Sequence, residues 1–123
     1  MSRLLQLVLM VVITATPAIA MAKTPDEPTS FSTQRGEMLW NRQFTVSSQQ
    51  RSCASCHTAD PRQAGKHVRT GKPIQAMAPS LNPDRFTDQS KINKWFKRNC
   101  KWTLGRVCTY LEQGDVLEYL NSL

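Results

Sequence analysis

Five consecutive residues, Cys53-Ala54-Ser55-Cys56-His57, constrain this chain more than any other feature. Two thiols three positions apart can reach the two vinyl groups of one porphyrin and form thioethers. The adjacent histidine then lies under the ring and offers an imidazole nitrogen to iron. Two other chemistries use similar residues. C-x-x-C can be a dithiol redox pair, and with Cys100 and Cys108 it could ligate zinc. The dithiol reading lacks a strand before the motif and a long amphipathic helix starting at it. The zinc reading lacks a second close pair, because Cys100 and Cys108 are widely spaced. One covalent haem c, held by Cys53 and Cys56 with His57 as proximal ligand, is the expectation.

The N-terminus sets the compartment. Arg3 precedes an apolar run from Leu4 to Ile13, and the small residues around Ala18, Ala20 and Ala22 fit a cleavage site. The run is too short for a spanning helix. Residues 1–22 therefore read as a secretory signal, with cleavage after Ala20 or Ala22 and a periplasmic destination. No stable membrane insertion is expected. Residues 23–30 are polar, contain Pro25 and Pro28, and read as a flexible leader. Residues 31–123 form the domain. About 100 residues bury only a modest core and commonly need a staple or a cofactor.

The formal charge of +7 comes from 16 basic against 9 acidic side chains. Export disfavours nucleic acid as the partner of such a surface. An acidic protein or an anionic membrane fits it better.

The pattern along the chain is helical. Ser32 or Thr33 can cap a helix reaching Phe44, and Gly36 within it suits close packing against another helix. From Thr58 to Arg85, six Gly and Pro residues leave little regular structure, which fits a segment wrapped around a large apolar group. Thr87 or Asp88 caps a second helix running to Asn99. Ile92, Trp95, Phe96 and then Asn99 mark its inner face. Lys91, Lys94, Lys97, Arg98 and Lys101 mark the opposite one. Lys101–Val107 reads as a loop. Thr109 and Glu112 form a capping box for a last helix with Val116, Leu117 and Leu120 inward. No strand pattern stands out, so the fold class is all-α.

The sixth iron ligand decides what a c-type haem does. Met77 would give an ordinary electron shuttle with a raised potential. It follows His57 closely for a chain that must pass around the porphyrin edge, so packing on the haem suits it better. His67 sits in a basic loop and reads as a solvated histidine. Asn99 is the unusual candidate, a polar residue at the inward position of an apolar series. A Cys100–Cys108 disulfide beside it would close a short loop and contribute about 2–3 kcal/mol through chain entropy.

The residues Arg69-Thr70-Gly71-Lys72, Ala78-Pro79-Ser80, Arg85-Phe86-Thr87-Asp88, Arg98-Asn99-Cys100 and Gly105-Arg106-Val107-Cys108 closely resemble the sphaeroides haem protein (SHP) family and its relative cytochrome c″. The resemblance extends from about Phe31 to the C-terminus. It implies a class I cytochrome c-like fold and a Cys100–Cys108 disulfide. It also implies Asn99 as a distal ligand that binds ferric iron and leaves on reduction. The ferrous haem could then take oxygen or nitric oxide. The implied electron donor is a dihaem cytochrome c; apart from the resemblance, a monomer is expected. Met77 departs from the family, where leucine is usual. An electron carrier that binds a small ligand is the first expectation. A haem enzyme acting on peroxide, oxygen or nitric oxide ranks below it, because no acid–base residue is evident on the distal side.

Overall fold

The computed structural model describes residues 28 and 30–123. The expected signal, residues 1–22, and most of the expected leader, residues 23–30, lie outside the described residues.

Helix α1 (Thr33–Asn41) begins where Ser32 caps it, the hydroxyl accepting from the Arg35 N–H at 3.3 Å. It stops short of the expected Phe44. Phe44–Val46 is instead strand β1, paired antiparallel with β2 (Gln49–Arg51). Ser47 and Ser48 turn the hairpin at φ 50° and 63°. Tight two-residue hairpins need positive φ at both positions, and Asn-Gly usually signals it. The pair Ser-Ser carries no such signal.

Helix α2 (Ala54–His57) is one turn. Beyond it lies a second ribbon of β3 (Gly65–Lys66) and β4 (Pro73–Ile74), with Gly65 opposite Ile74. The stretch from Thr58 to Arg85 is therefore more ordered than its Gly and Pro content implied. Such two-residue strands have no period to read.

Helix α3 (Gln89–Leu104) starts at the Asp88 cap, whose carboxylate accepts from the Lys91 N–H at 3.1 Å. It does not end at Asn99. It runs on to Gly105, whose φ of 75° supplies the left-handed stop that glycine adopts without strain. The expected loop at Lys101–Val107 is thus mostly helix. The inner stripe is also rotated. Cys100 and Thr103 are buried in line with half-buried Ile92 and Phe96. Trp95 is 51% exposed, with the Arg98 guanidinium over its ring.

Helix α4 (Tyr110–Asn121) carries the expected capping box of Thr109 and Glu112. It crosses α1 closely. A methyl group at Gly36 would lie 2.6 Å from the Asp115 carbonyl carbon and 2.8 Å from Tyr119 Cβ, so only glycine fits the crossing. The core is Trp40, Val116, Tyr119 and Leu120. Leu117 is only half-buried, and Asp115 and Tyr119 take the inner face with Val116. Asp115 is buried because it has partners. It accepts from Ser32 N at 2.7 Å and from Arg35 Nε and Nη2 at 2.7 and 2.8 Å.

The fold is all-α apart from the two ribbons. Fully buried apolar side chains are few for a domain of this size, which is the composition expected when a cofactor supplies part of the interior. No helix among the described residues is long and apolar enough to cross a membrane.

Candidate haem site

The turn of helix at the motif is held by two serines. Ser52, almost fully buried, accepts from the Ser55 N–H at 3.1 Å, and Ser55 Oγ accepts from the Ser52 N–H at 3.0 Å. This is a reciprocal cap with serine in the place usually taken by glutamate. It fixes the Cys53-to-His57 turn before any cofactor is considered. Ser52-x-x-Ser55 was visible in the sequence but was not read as a cap.

The two thiols are half-buried and unpaired with each other. Burial pushes the Cys53 thiol up to about 11, with the nearby Cys56 adding to the rise. A redox dithiol needs the reverse, a stabilised thiolate. Cys100 and Cys108 are joined in a disulfide with Cα atoms 5.6 Å apart and have no thiolate to give zinc. Among the described residues no three His, Cys, Asp or Glu side chains converge on a metal-sized point. A neutral thioether, by contrast, costs nothing to bury where a thiolate would.

Burial also lowers the His57 imidazole to about 4, and the nearby Arg85 and His67 side chains add to the effect. The ring is therefore neutral at physiological pH, the form that can coordinate iron. Its Nδ1 is buried and makes no hydrogen bond. The Trp40 ring lies 5.5 Å from it, centroid to centroid, tilted by 42°. These features fit a haem held through Cys53 and Cys56 with His57 toward the iron.

The chain turns sharply after His57. Thr58 sits at φ 65°, ψ 162°, a conformation that only glycine enters freely and that costs other residues about 1–3 kcal/mol. Trp40 Nε1 donates to the Thr58 carbonyl at 2.9 Å and Thr58 Oγ1 donates to the Asp60 carbonyl at 2.6 Å. Trp40→Phe keeps an aromatic side chain, though a smaller one, and removes the donor. It is expected to lower stability by about 1–3 kcal/mol, measured by denaturant unfolding of the holoprotein with an unchanged slope.

Beyond the turn, the strand β3 backbone presses on the motif. A methyl at Gly65 would overlap the Cys56 carbonyl oxygen and lie 2.9 Å from His57 Cα. Further on, the Pro61 carbonyl accepts from Met77 N at 2.8 Å and Ala78 N at 3.2 Å. Met77 is half-buried and packs against the Trp40–Leu120 cluster. Arg85 ties the same segment down by donating to the carbonyls of Ala76 and Gln75.

Asn99 sits within α3, one residue before the buried, disulfide-bonded Cys100. It lines an open cavity of about 360 Å³ together with His67, Arg69, Arg98, Lys101 and Trp102. His67 is therefore not a freely solvated loop residue. It is half-buried, and its Nδ1 accepts from the N–H groups of Arg69 and Thr70 at 3.3 and 3.1 Å. That pairing assigns the remaining proton to Nε2.

Motif, neutral histidine and helical frame together define a c-type cytochrome. Residues 26–120 match a family described as Domain of unknown function (DUF1924). The chain is 51% identical over 69 residues to cytochrome c-type protein SHP of Cereibacter sphaeroides, covering 56% of this chain and 53% of that one. It thus spans about half the length of that curated relative. The solved structure of oxidized SHP, described as an oxygen binding cytochrome c, superposes with a TM-score of 0.71 at 41% identity, over 76% of this chain and 83% of that one. The solution structure of cytochrome c″ from Methylophilus methylotrophus, reported for its insight into haem-ligand detachment, gives a TM-score of 0.67 at 38% identity, over 75% of each chain. This chain belongs to the family of SHP and cytochrome c″, has their cytochrome fold, and carries one covalent haem c.

Proposed function

We propose that this protein is an exported, periplasmic electron-transfer cytochrome whose ferrous haem takes a diatomic gas. When bound, the haem would supply a one-electron iron couple and an iron able to take a small ligand. Cys53 and Cys56 hold it, His57 is the proximal ligand, and Asn99 is the distal ligand of the ferric state only. An amide oxygen is a hard donor that suits Fe(III) better than Fe(II). The observation that carries the reading is Asn99 in the lining of the α3 cavity, beside the Cys100–Cys108 disulfide. The oxygen-binding description of the SHP structure supports it. Met77 packs on the apolar cluster, which suits a substitution for leucine in an apolar wall.

Asn99→Ala is expected to turn a low-spin ferric haem high-spin while the ferrous spectrum stays high-spin and still shifts with carbon monoxide. A wild-type ferrous form that is low-spin and blind to carbon monoxide, with a sulfur-to-iron band in the ferric form, would mean Met77 instead.

The exposed cations Lys91, Lys94, Lys97 and Lys101 of α3 suit an acidic redox partner through electrostatic steering. A dihaem cytochrome c is the proposed donor. His67 beside Asn99 favours a second reading, a haem enzyme in which its Nε2 proton serves catalysis. Peroxide consumption lost in His67→Gln with unchanged spectra would favour that reading.

A further inference from the structure

Two of the three tryptophans lie under a cation. The Arg51 guanidinium carbon is 4.5 Å from the centre of the Trp102 ring, and that of Arg98 is 5.1 Å from the Trp95 ring. Trp40 carries no such cation among the described residues. The difference is electronic. A ring that gives up an electron becomes a cation, and a guanidinium in front of it makes that loss harder. Trp40 has the opposite setting. Its Nε1 donates to the Thr58 carbonyl at 2.9 Å, so the negative end of a peptide dipole faces the indole.

Trp40 is also the middle of a row. Its ring centre lies 5.5 Å from that of His57 and 6.3 Å from that of Tyr119. Trp40 and Tyr119 are buried, so no bulk water separates the rings. Electron tunnelling falls steeply with the gap between donor and acceptor, and both gaps here are contacts between neighbouring rings. The row has a wet end. The Tyr119 hydroxyl forms no hydrogen bond among the described residues, yet it is not one of the enclosed polar atoms that lack a partner. It therefore reaches solvent. Burial holds the phenol above its ordinary value, with the Glu37 and Asp60 carboxylates adding and Arg62 opposing. An electron leaving Tyr119 thus leaves a neutral phenol, and the proton goes with it to water.

We propose that Tyr119 and Trp40 relay electrons from the surface to the proximal side of the haem, and that the relay lets the protein reduce hydrogen peroxide. The peroxide takes two electrons and two protons and leaves as two waters. Each electron passes from Tyr119 to Trp40 and on past His57, and each phenol proton goes to water. A phenol or hydroquinone in solution restores Tyr119 after each transfer by giving up one electron and one proton. The inference rests on His57 as the proximal residue of the haem seat proposed above and is independent of Asn99 and His67.

The test mixes ferric holoprotein with hydrogen peroxide, freezes it and reads the organic radical by electron paramagnetic resonance. The wild type is expected to give a tyrosyl signal that narrows when the protein is grown on ring-deuterated tyrosine. Tyr119→Phe and Trp40→Phe should each lower that signal at least tenfold, the second with Tyr119 still in place. Tyr110→Phe, at an 80% exposed tyrosine stacked on Phe31, should change it less than twofold. No tyrosyl signal in the wild type, or a signal that survives in Tyr119→Phe, overturns the proposal. A signal lost in Tyr119→Phe but intact in Trp40→Phe overturns the relay. If Trp40→Phe does not accumulate with haem, Tyr119→Phe decides, since it removes only a hydroxyl that bonds no described residue. Failure of the haem seat would show in the mass and optical spectrum before peroxide is added, whereas failure of the relay shows only afterwards.

Discussion

Gly65→Ala is expected to cut the yield of covalently loaded haem at least tenfold, read as haem absorbance per protein. The added methyl has nowhere to go. It meets the Cys56 carbonyl oxygen, with His57 Cα at 2.9 Å and the Cys56 carbonyl carbon at 3.0 Å. All three are backbone atoms of the motif turn, so no side chain can swing away. Overpacking costs about 1–3 kcal/mol where neighbours yield, and here relief requires the motif itself to shift. Gly71→Ala is the comparison. Gly71 has φ of 70°, yet its methyl would meet only Lys66 Cε at 3.5 Å. That variant pays only the left-handed conformation, about 1–2 kcal/mol, and should load haem normally. Equal loading of the two variants would show that the close approach of β3 is not required.

Asp115→Ala is expected to be the largest loss of stability away from the motif, about 3 kcal/mol. One buried carboxylate serves two helices. It accepts from the N–H of Ser32, the cap residue of α1, and from two nitrogens of Arg35. The Arg35 side chain is 38% exposed, so solvent screening trims the ionic part. The lost hydrogen bonds to the buried carboxylate carry most of the cost. For a domain of this size that is about 12–24 °C in Tm, measurable by thermal unfolding of the holoprotein. Asp115→Asn keeps an acceptor for Ser32 and should fall between. A change under 3 °C in Asp115→Ala would remove the carboxylate from its bridging role.

Features fixed by neighbouring residues were legible before the structure. Ser32, Asp88 and Thr109 mark helix starts because a cap acts within three residues of itself. Gly36 announced a close crossing, and α4 supplies it. The motif announced its cofactor because its chemistry is written in adjacent residues. Features that depend on distant partners were not legible. Asp115 looks misplaced among apolar residues until Arg35 arrives from another helix. Trp40 over His57 and Gly65 under Cys56 exist only once the chain has folded. The end of α3 was misread for a different reason. The sequence pattern ends the helix at Asn99, the last member of its expected inner face, and leaves Gly105 inside a loop. The ladder of helical hydrogen bonds outweighs one polar side chain.

That longer α3 bears on how quickly a sixth ligand could leave. Asn99 lies more than a turn inside a continuous helix, and the disulfide at Cys100 pins the next residue to Cys108. Release then needs either a side-chain rotation or the opening of more than a turn of helix. A side-chain rotation about χ1 would finish in picoseconds to nanoseconds, whereas melting the last helical turn belongs to microseconds or slower. Following the change in spin state after rapid photoreduction of the ferric protein would place ligand release on one side of that gap or the other.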